Sequence, residues 1–384
     1  MSRLQGRVRS RLAAWESSGL LRTLRPPQGI DLSSNDYLNL AKHPAVVARM
    51  LEGVAREGCG STGSRLLRGE RQAFNALERR FADFKGTDRA LFFGAGYLAN
   101  LGAITALADS GDIIFSDERN HASLIDATRL SRASARVFPH NDVVAVARML
   151  AGAPAGAVHF LIVESLFSMD GDFAPLGEYA ALCASTGAVL IVDEAHAVGI
   201  CGERGSGLLE SAGIDANSCI SVNSAGKALG VSGAFVAGPS WAIEYLVQRA
   251  RPFVFSTAPS PGLADAIDAS LSIVSSEPER REQLTAKATY LRSRLRAVGI
   301  PVSPGPSHIV PILLDDVRRA TAVAEALQQQ GFDVRAIRPP TVPEGSARLR
   351  LSVNVGLSTP TLDRFVCSLA RAMKEARICT AACS

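Results

Sequence analysis

Lysine is scarce in this chain, and one lysine sits where an amine could do chemistry. The five are Lys42, Lys85, Lys227, Lys287 and Lys374. Lys42 precedes His43-Pro44 in a turn, and Lys85 precedes Gly86 at the end of a helical pattern. Lys287 and Lys374 fall on charged helical stretches, where a solvated head on an apolar stem is the ordinary arrangement. Lys227 differs. It lies in Ser224-Ala-Gly-Lys-Ala-Leu-Gly230, and small residues on both sides leave room for a flat ring. A free lysine titrates near ~10.4. Cationic or apolar surroundings lower that value and make the amine a nucleophile toward a carbonyl. Two further groups suit a pyridine ring held by such an amine. Asp193 ends the apolar run Ala188–Val192, where a carboxylate could pair with a ring nitrogen and keep it protonated. His196 follows three residues later and could reach a phenolic oxygen of the same ring. Taken singly, each is commonplace: a capping aspartate, a structural histidine, a loop lysine. The ordered set is specific. It points to pyridoxal phosphate (PLP) bound as a Schiff base on Lys227, with Ser224 placed to bond the phosphate and His121, at a helix start, able to stack on the ring. No further ligands lie at metal-site spacing near Asp193 and His196, so no metal is expected.

A competing signal is Gly94-Ala-Gly-Tyr-Leu-Ala99, which matches the dinucleotide fingerprint between a strand and a helix, with Asp117 where a ribose-binding acid would fall. The physics beneath it is broader. Small residues let backbone N–H groups at a helix N-terminus approach any phosphate, including that of a single cofactor. A nicotinamide-dependent dehydrogenase is therefore the alternative from another class.

Strands and helices must hold these groups. The apolar runs Ala90–Phe93, Ile113–Phe115, Val158–Val163, Ala188–Val192, Cys219–Val222 and Ala234–Ala237 lack alternation, which implies strands buried on both faces. Helical patterns at Arg71–Phe84, Gly96–Leu107 and His121–Leu130 alternate with them. The fold expected is α/β, a mostly parallel sheet covered by helices. Beyond residue 272 the pattern becomes a smaller α+β unit: helices at Glu277–Val298, Arg318–Gln330 and Thr361–Ala376, and strands at His308–Leu314, Asp333–Ile337 and Leu349–Val353. The divisions expected are a helical arm over 1–36, a large domain over 37–272 and a small one over 273–384. Leu4, Val8, Leu12 and Trp15 recur at helical spacing and predict an amphipathic N-terminal helix docked on the body.

The chain has 384 residues, 47% hydrophobic and 20% charged, with a formal net charge of +4 spread along its length. That balance makes no case for nucleic acid. The N-terminus lacks the apolar stretch of a signal peptide, and no run approaches the ~18 apolar residues of a membrane span. Seven cysteines, an odd number at irregular spacing, suggest free thiols in a reducing, cytoplasmic setting. Cys379 and Cys383 fall in a short tail expected to fray.

With these motifs in hand, the sequence resembles the α-oxoamine synthases, fold-type I PLP enzymes, over nearly its whole length. The segments that carry the resemblance include Leu32-Ser-Ser-Asn-Asp-Tyr-Leu38, Gly60-Ser-Thr-Gly-Ser-Arg65, Asn120-His-Ala-Ser-Leu124, Glu164-Ser-Leu-Phe-Ser-Met-Asp-Gly-Asp172, Val192-Asp-Glu-Ala-His196, Gly226-Lys-Ala-Leu-Gly230, Phe255-Ser-Thr257 and Arg338-Pro-Pro-Thr-Val-Pro343. One departure is Asn39, where the family usually has glycine after Asn-Asp-Tyr-Leu.

The resemblance implies roles. Lys227 carries PLP and serves as general base. Asp193 pairs with the pyridine nitrogen. Ser168 and His196 lie near the phenolic oxygen, and His121 stacks on the ring and aids catalysis. Gly96, Tyr97 and Ser224 cradle the phosphate. Thr257 reaches the phosphate of a neighbouring subunit, implying a homodimer with shared active sites. Arg22, Asn35, His121, Arg338 and Thr341 meet the substrates. The reaction implied is decarboxylative condensation of L-alanine with a pimeloyl thioester on coenzyme A or an acyl carrier protein. The alternatives within the family use glycine or serine.

Overall fold

The structure is a computed structural model that describes residues 2–303 and 305–381. The chain falls into two compact units: a larger one of residues 35–168 and 172–282, and a smaller one of residues 2–34, 169–171 and 283–381. Helix Gly262–Ser276 belongs to the larger unit because Gly53 and Gly262 let it lie directly against helix Pro44–Glu57. A Cβ on Gly262 would stand 2.9 Å from the Met50 carbonyl.

Among its described residues, the larger unit holds a sheet of seven strands: β1 (Arg89–Phe93), β2 (Ile113–Asp117), β3 (Ser134–Phe138), β4 (His159–Glu164), β5 (Val189–Asp193), β6 (Cys219–Ser224) and β7 (Ala234–Gly238). Their order is β1-β7-β6-β5-β4-β2-β3. Only β7 runs antiparallel to its neighbours. The α/β expectation is met for the reason read from the sequence: the unalternated apolar runs are buried on both faces, as Leu161, Ile162, Ile191, Val192, Ile220 and Val222 show. Phe235 of β7 stacks on Phe81 with ring centres 3.9 Å apart and meets Phe92 at 5.1 Å, which ties the sheet to helix Gln72–Lys85.

Strand β3 has no counterpart among the expected strands. It is an edge strand with the exposed pattern Ser-Ala-Arg-Val, so no apolar run marks it.

The smaller unit has an antiparallel sheet of β8 (Ile309–Asp315), β9 (Ala336–Ile337) and β10 (Ala347–Ser352), in the order β9-β10-β8. Helices Val317–Gln329 and Thr359–Ala381 supply Val323, Leu327, Phe365 and Leu369 to its core. The strand expected over Asp333–Ile337 is two short pieces in different sheets, because the Val334 N–H bonds the Phe332 carbonyl in a tight turn that breaks the ladder.

The N-terminal helix spans Arg3–Ser17 but does not dock. No residue in it is buried, and Leu4 and Trp15 remain 59% and 50% exposed. Single apolar residues set between Arg3, Arg7, Arg9 and Arg11 make a helical pattern without a stripe wide enough to bury.

Among the described residues, Cys59, Cys183, Cys201, Cys219 and Cys367 are free thiols. Burial pushes Cys183, Cys201 and Cys219 up to about 12, which leaves them inert. Cys383 lies outside the described residues, and the last helix runs to Ala381. No described helix is long and apolar enough to cross a membrane.

Candidate active site

Three neighbouring parallel strands end in the site. Glu164 closes β4, Asp193 closes β5 and Ser224 closes β6. Carboxyl ends of strands in an open α/β sheet are where ligands bind. A cavity of about 190 Å³ opens there, bounded by these three side chains, Lys227, His121 and the first turn of helix Gly96–Leu107.

Asp193 is buried, and both carboxylate oxygens accept hydrogen bonds: Oδ2 from Asn100 Nδ2 at 2.6 Å, Oδ1 from the Ala195 N–H at 2.8 Å. Asn100 Nδ2 also donates to Ser123 Oγ at 2.9 Å, and Ser123 Oγ stands 2.7 Å from His121 Nδ1. Because Nδ1 also accepts the Ser123 N–H, neutral His121 carries its proton on Nε2. Desolvation holds His121 below the usual histidine value; Asp193 opposes the shift, and Lys227 adds to it. A neutral imidazole carries no charge to repel a protonated ring placed against its face.

Lys227 Nζ lies 2.8 Å from His196 Nε2, and His196 Nδ1 lies 2.7 Å from the Tyr37 hydroxyl, which donates to Asn35 Oδ1 at 2.8 Å. Asn35 thus connects to the lysine through two side chains.

The residues expected to cradle a phosphate lie together. The N–H groups of Gly96, Tyr97 and Leu98 open a helix that has no side-chain cap. Ser224 Oγ stands beside them: a Cβ on Gly96 would come 3.8 Å from it, and one on Gly226 3.6 Å. Glycine at both positions keeps the space around that hydroxyl open. Tyr97 meets His121 edge-on at 6.4 Å, and its hydroxyl donates to Asp126. These donors fit a phosphate, and Lys227, Asp193 and His121 fit the aldehyde, nitrogen and face of a pyridine ring. The residues present therefore suit PLP.

Asp117 is not available to a ribose. Its carboxylate takes His140 Nδ1 at 3.0 Å and the N–H groups of Arg119 and Asn141. His140 also reaches Asp172 at 2.6 Å, and the two carboxylates, working against desolvation, raise it to about 9.

The remaining expected residues divide. Ser168 is buried and gives its N–H to Glu164 Oε2 at 3.2 Å. Thr257 is exposed and does not line the Lys227 cavity. Arg22, Arg338 and Thr341 line a separate cavity of about 630 Å³ within the smaller unit. There Arg22 donates to Thr341 Oγ1 at 3.0 Å, and Arg338 donates to the carbonyls of Gly19 and Leu21. Burial holds Arg338 below the ordinary arginine value, and Arg22 and Arg25 add to the effect.

Sequence reasoning missed several residues. Glu164 is buried at the cavity wall, in register with Asp193 across the β4–β5 ladder. Burial, then Asp193, push its carboxyl up to about 8 against the pull of Lys227 and the N–H groups of Ser168 and His121. Its Oε1 has no hydrogen-bond partner. An acid ending a buried strand was the signal for Asp193, and it marks Glu164 equally. From the sequence, Lys85 reads only as the end of a helix. It is fully buried and bonds Glu194, between Asp193 and His196, and the Ser206 carbonyl. Lys287, expected to present a solvated head, is instead tied to the Val355 carbonyl.

The class I and II aminotransferase family matches residues 27–369. The chain belongs to that family. Within it, the relatives are α-oxoamine synthases. The chain is 42% identical over 381 residues to an 8-amino-7-oxononanoate synthase of Anaeromyxobacter dehalogenans, covering 96% of both chains. It is 45% identical over 349 residues to one from Bordetella petrii, covering 89% of this chain and 88% of that one. Among solved structures, a serine palmitoyltransferase from Sphingomonas wittichii superposes with a TM-score of 0.91 at 30% identity, covering 98% of each chain. An 8-amino-7-oxononanoate synthase from Francisella tularensis gives 0.79 at 29% identity, covering 90% of this chain and 98% of that one. The family's cofactor is PLP, and a serine palmitoyltransferase neighbour is described with PLP bound. The family explains Asn39. Its φ of +53° lies in the left-handed region, which asparagine tolerates best after glycine.

Proposed function

We propose that this chain is an 8-amino-7-oxononanoate synthase. It condenses L-alanine with a pimeloyl thioester, releasing CO2 and the free thiol. One observation carries the reading: a lysine amine, a hydrogen-bonded aspartate and an uncapped helix N-terminus converge on one cavity in a chain whose relatives over most of its length bear that name. PLP supplies an electron sink for the carbanion formed at the amino acid's α-carbon. The chain's residues supply the rest. Lys227 anchors the cofactor and, as a free amine, takes the α-proton. Asp193 holds the pyridine nitrogen protonated. His121 stacks on the ring. Gly96, Tyr97 and Ser224 bind the phosphate. His196 and Ser168 serve the phenolic oxygen. Arg22, Asn35, Arg338 and Thr341 meet substrate carboxylate and acyl chain, the arginines through charge-assisted bonds. A new carbon–carbon bond joins alanine's α-carbon to the thioester carbonyl as the carbon–sulfur bond breaks, and the carboxyl of alanine leaves as CO2. We place the enzyme in the cytoplasm as a homodimer in which Thr257 completes the partner's phosphate site.

The serine palmitoyltransferase superpositions favour a second reading, a related synthase using another amino acid. Mass spectrometry separates the two. Alanine, glycine and serine are each offered with pimeloyl-CoA and with pimeloyl carrier protein. Product from alanine alone upholds the proposal, whereas product from serine or glycine without alanine overturns it.

A further inference from the structure

Tyr37 is fully buried, and its hydroxyl meets Asn35 and His196. A phenol has one proton to give. Here it goes to Asn35 Oδ1 at 2.8 Å, so the contact with His196 Nδ1 at 2.7 Å requires that Nδ1 carry a proton and donate. His196 then has a bare Nε2, and that nitrogen is the one 2.8 Å from Lys227 Nζ. An ammonium or amine N–H can donate there. With the opposite tautomer, the ring N–H would face an ammonium donor to donor, or would occupy the lone pair of a neutral amine. The inner polarity thus follows from the outer hydroxyl.

Tyr37 is also held in place. The turn after it is closed by Asp36, whose carboxylate accepts the N–H groups of Leu40 and Ala41 at 2.8 and 3.2 Å. Asn39 bends the chain through the left-handed region. Gly230, three residues past Lys227, packs against this turn so closely that a Cβ on it would lie 2.4 Å from the Ala41 nitrogen. The Tyr37 turn and the lysine loop are therefore braced against each other in one unit. The rings of Tyr37 and His196 sit 6.1 Å apart and tilted by 51°, so the hydroxyl contact, not ring stacking, sets the imidazole's direction.

We infer that Tyr37 is a positioning residue: through its hydroxyl it fixes the tautomer of His196 and turns a bare Nε2 onto the Lys227 amine. Whenever that amine is free, Nε2 accepts one of its N–H bonds and aims the remaining lone pair, which a general base needs. The inference rests on Lys227 being the reacting amine, whereas its spectroscopic test does not depend on turnover.

The test uses full-length, PLP-free protein labelled with 15N in histidine, with His196 assigned by comparison with His196→Gln. At neutral pH the wild type is expected to show a protonated Nδ1 and a bare Nε2 at His196. In Tyr37→Phe that pattern is expected to change to a mixture or to the Nε2–H form. In the PLP-loaded enzyme the same variant should lose about tenfold in kcat, less than the ~10²-fold that losing an acid–base group outright costs, with KM for alanine within about twofold. A wild-type His196 protonated on Nε2 overturns the inference without any variant. So does a Tyr37→Phe spectrum identical to wild type.

Discussion

The two cavities are built differently. The one at Lys227 is small and walled by the ends of three adjacent buried strands, so each of its polar groups has a fixed place. The one in the smaller unit is about three times as large and lined by Arg22, Arg25, Arg335 and Arg338 beside exposed loop residues such as Leu24. The first looks shaped for one rigid ligand whose charges are matched group by group. The second offers positive charge and apolar wall with little built specificity, which suits flexible, anionic substrates. A substitution in the first should act as a switch, and one in the second as a graded loss of affinity.

The largest effect is expected at Lys227. Lys227→Ala removes both the proposed anchor and the proposed base, and should cost at least ~10³-fold in kcat/KM. Borohydride reduction followed by peptide mapping should find the cofactor adduct on Lys227 in the wild type and on no peptide of the variant. An adduct at Lys85 or Lys42 would erase the contrast, because the anchoring site would then lie outside the small cavity.

A smaller effect is expected at Arg338. It is crowded by Arg22 and Arg25, and a bound carboxylate would relieve that repulsion. Losing such a charge-assisted contact costs ~1.5–3 kcal/mol, so Arg338→Ala should raise the KM of one substrate by roughly tenfold or more while PLP stays bound. Steady-state kinetics with each substrate varied in turn reads this directly. Unchanged KM for both would mean that the larger cavity binds neither substrate.

The same contrast governed what the sequence revealed. Buried strands wrote themselves as apolar runs, so the sheet and the strand-end position of Asp193 were legible from local pattern. The edge strand Ser134–Phe138 has nothing apolar to display, and the N-terminal helix shows a helical period without burial. Lys85 misled because its sequence context describes only its own helix, while its carboxylate partner Glu194 stands more than a hundred residues away. Tyr37, Asn100 and Ser123 matter through side-chain hydrogen bonds between distant elements, and no periodicity reports those. Arg22, Arg338 and Thr341 came from the family resemblance alone.

The smallest effect, and the sharpest test of group-by-group matching, concerns Glu164. Its folded carboxyl titrates at about 8, far above the ~4.3 of an unfolded glutamate. An acid raised in the folded state stabilises the protein most fully below its unfolded value, and that contribution is lost as pH climbs through its folded value. Wild-type stability should therefore fall between about pH 4.3 and 8 on this account. Glu164→Gln keeps the shape and cannot ionise. In urea unfolding of the PLP-free protein, the variant should gain on wild type as pH rises, by an order of 1 kcal/mol or more at pH ~8.5 relative to pH ~5.5. Parallel profiles would mean that Glu164 is already ionised beside Asp193. The cavity would then hold two carboxylate charges against the Lys227 ammonium, and its polarity would have to be redrawn as anionic.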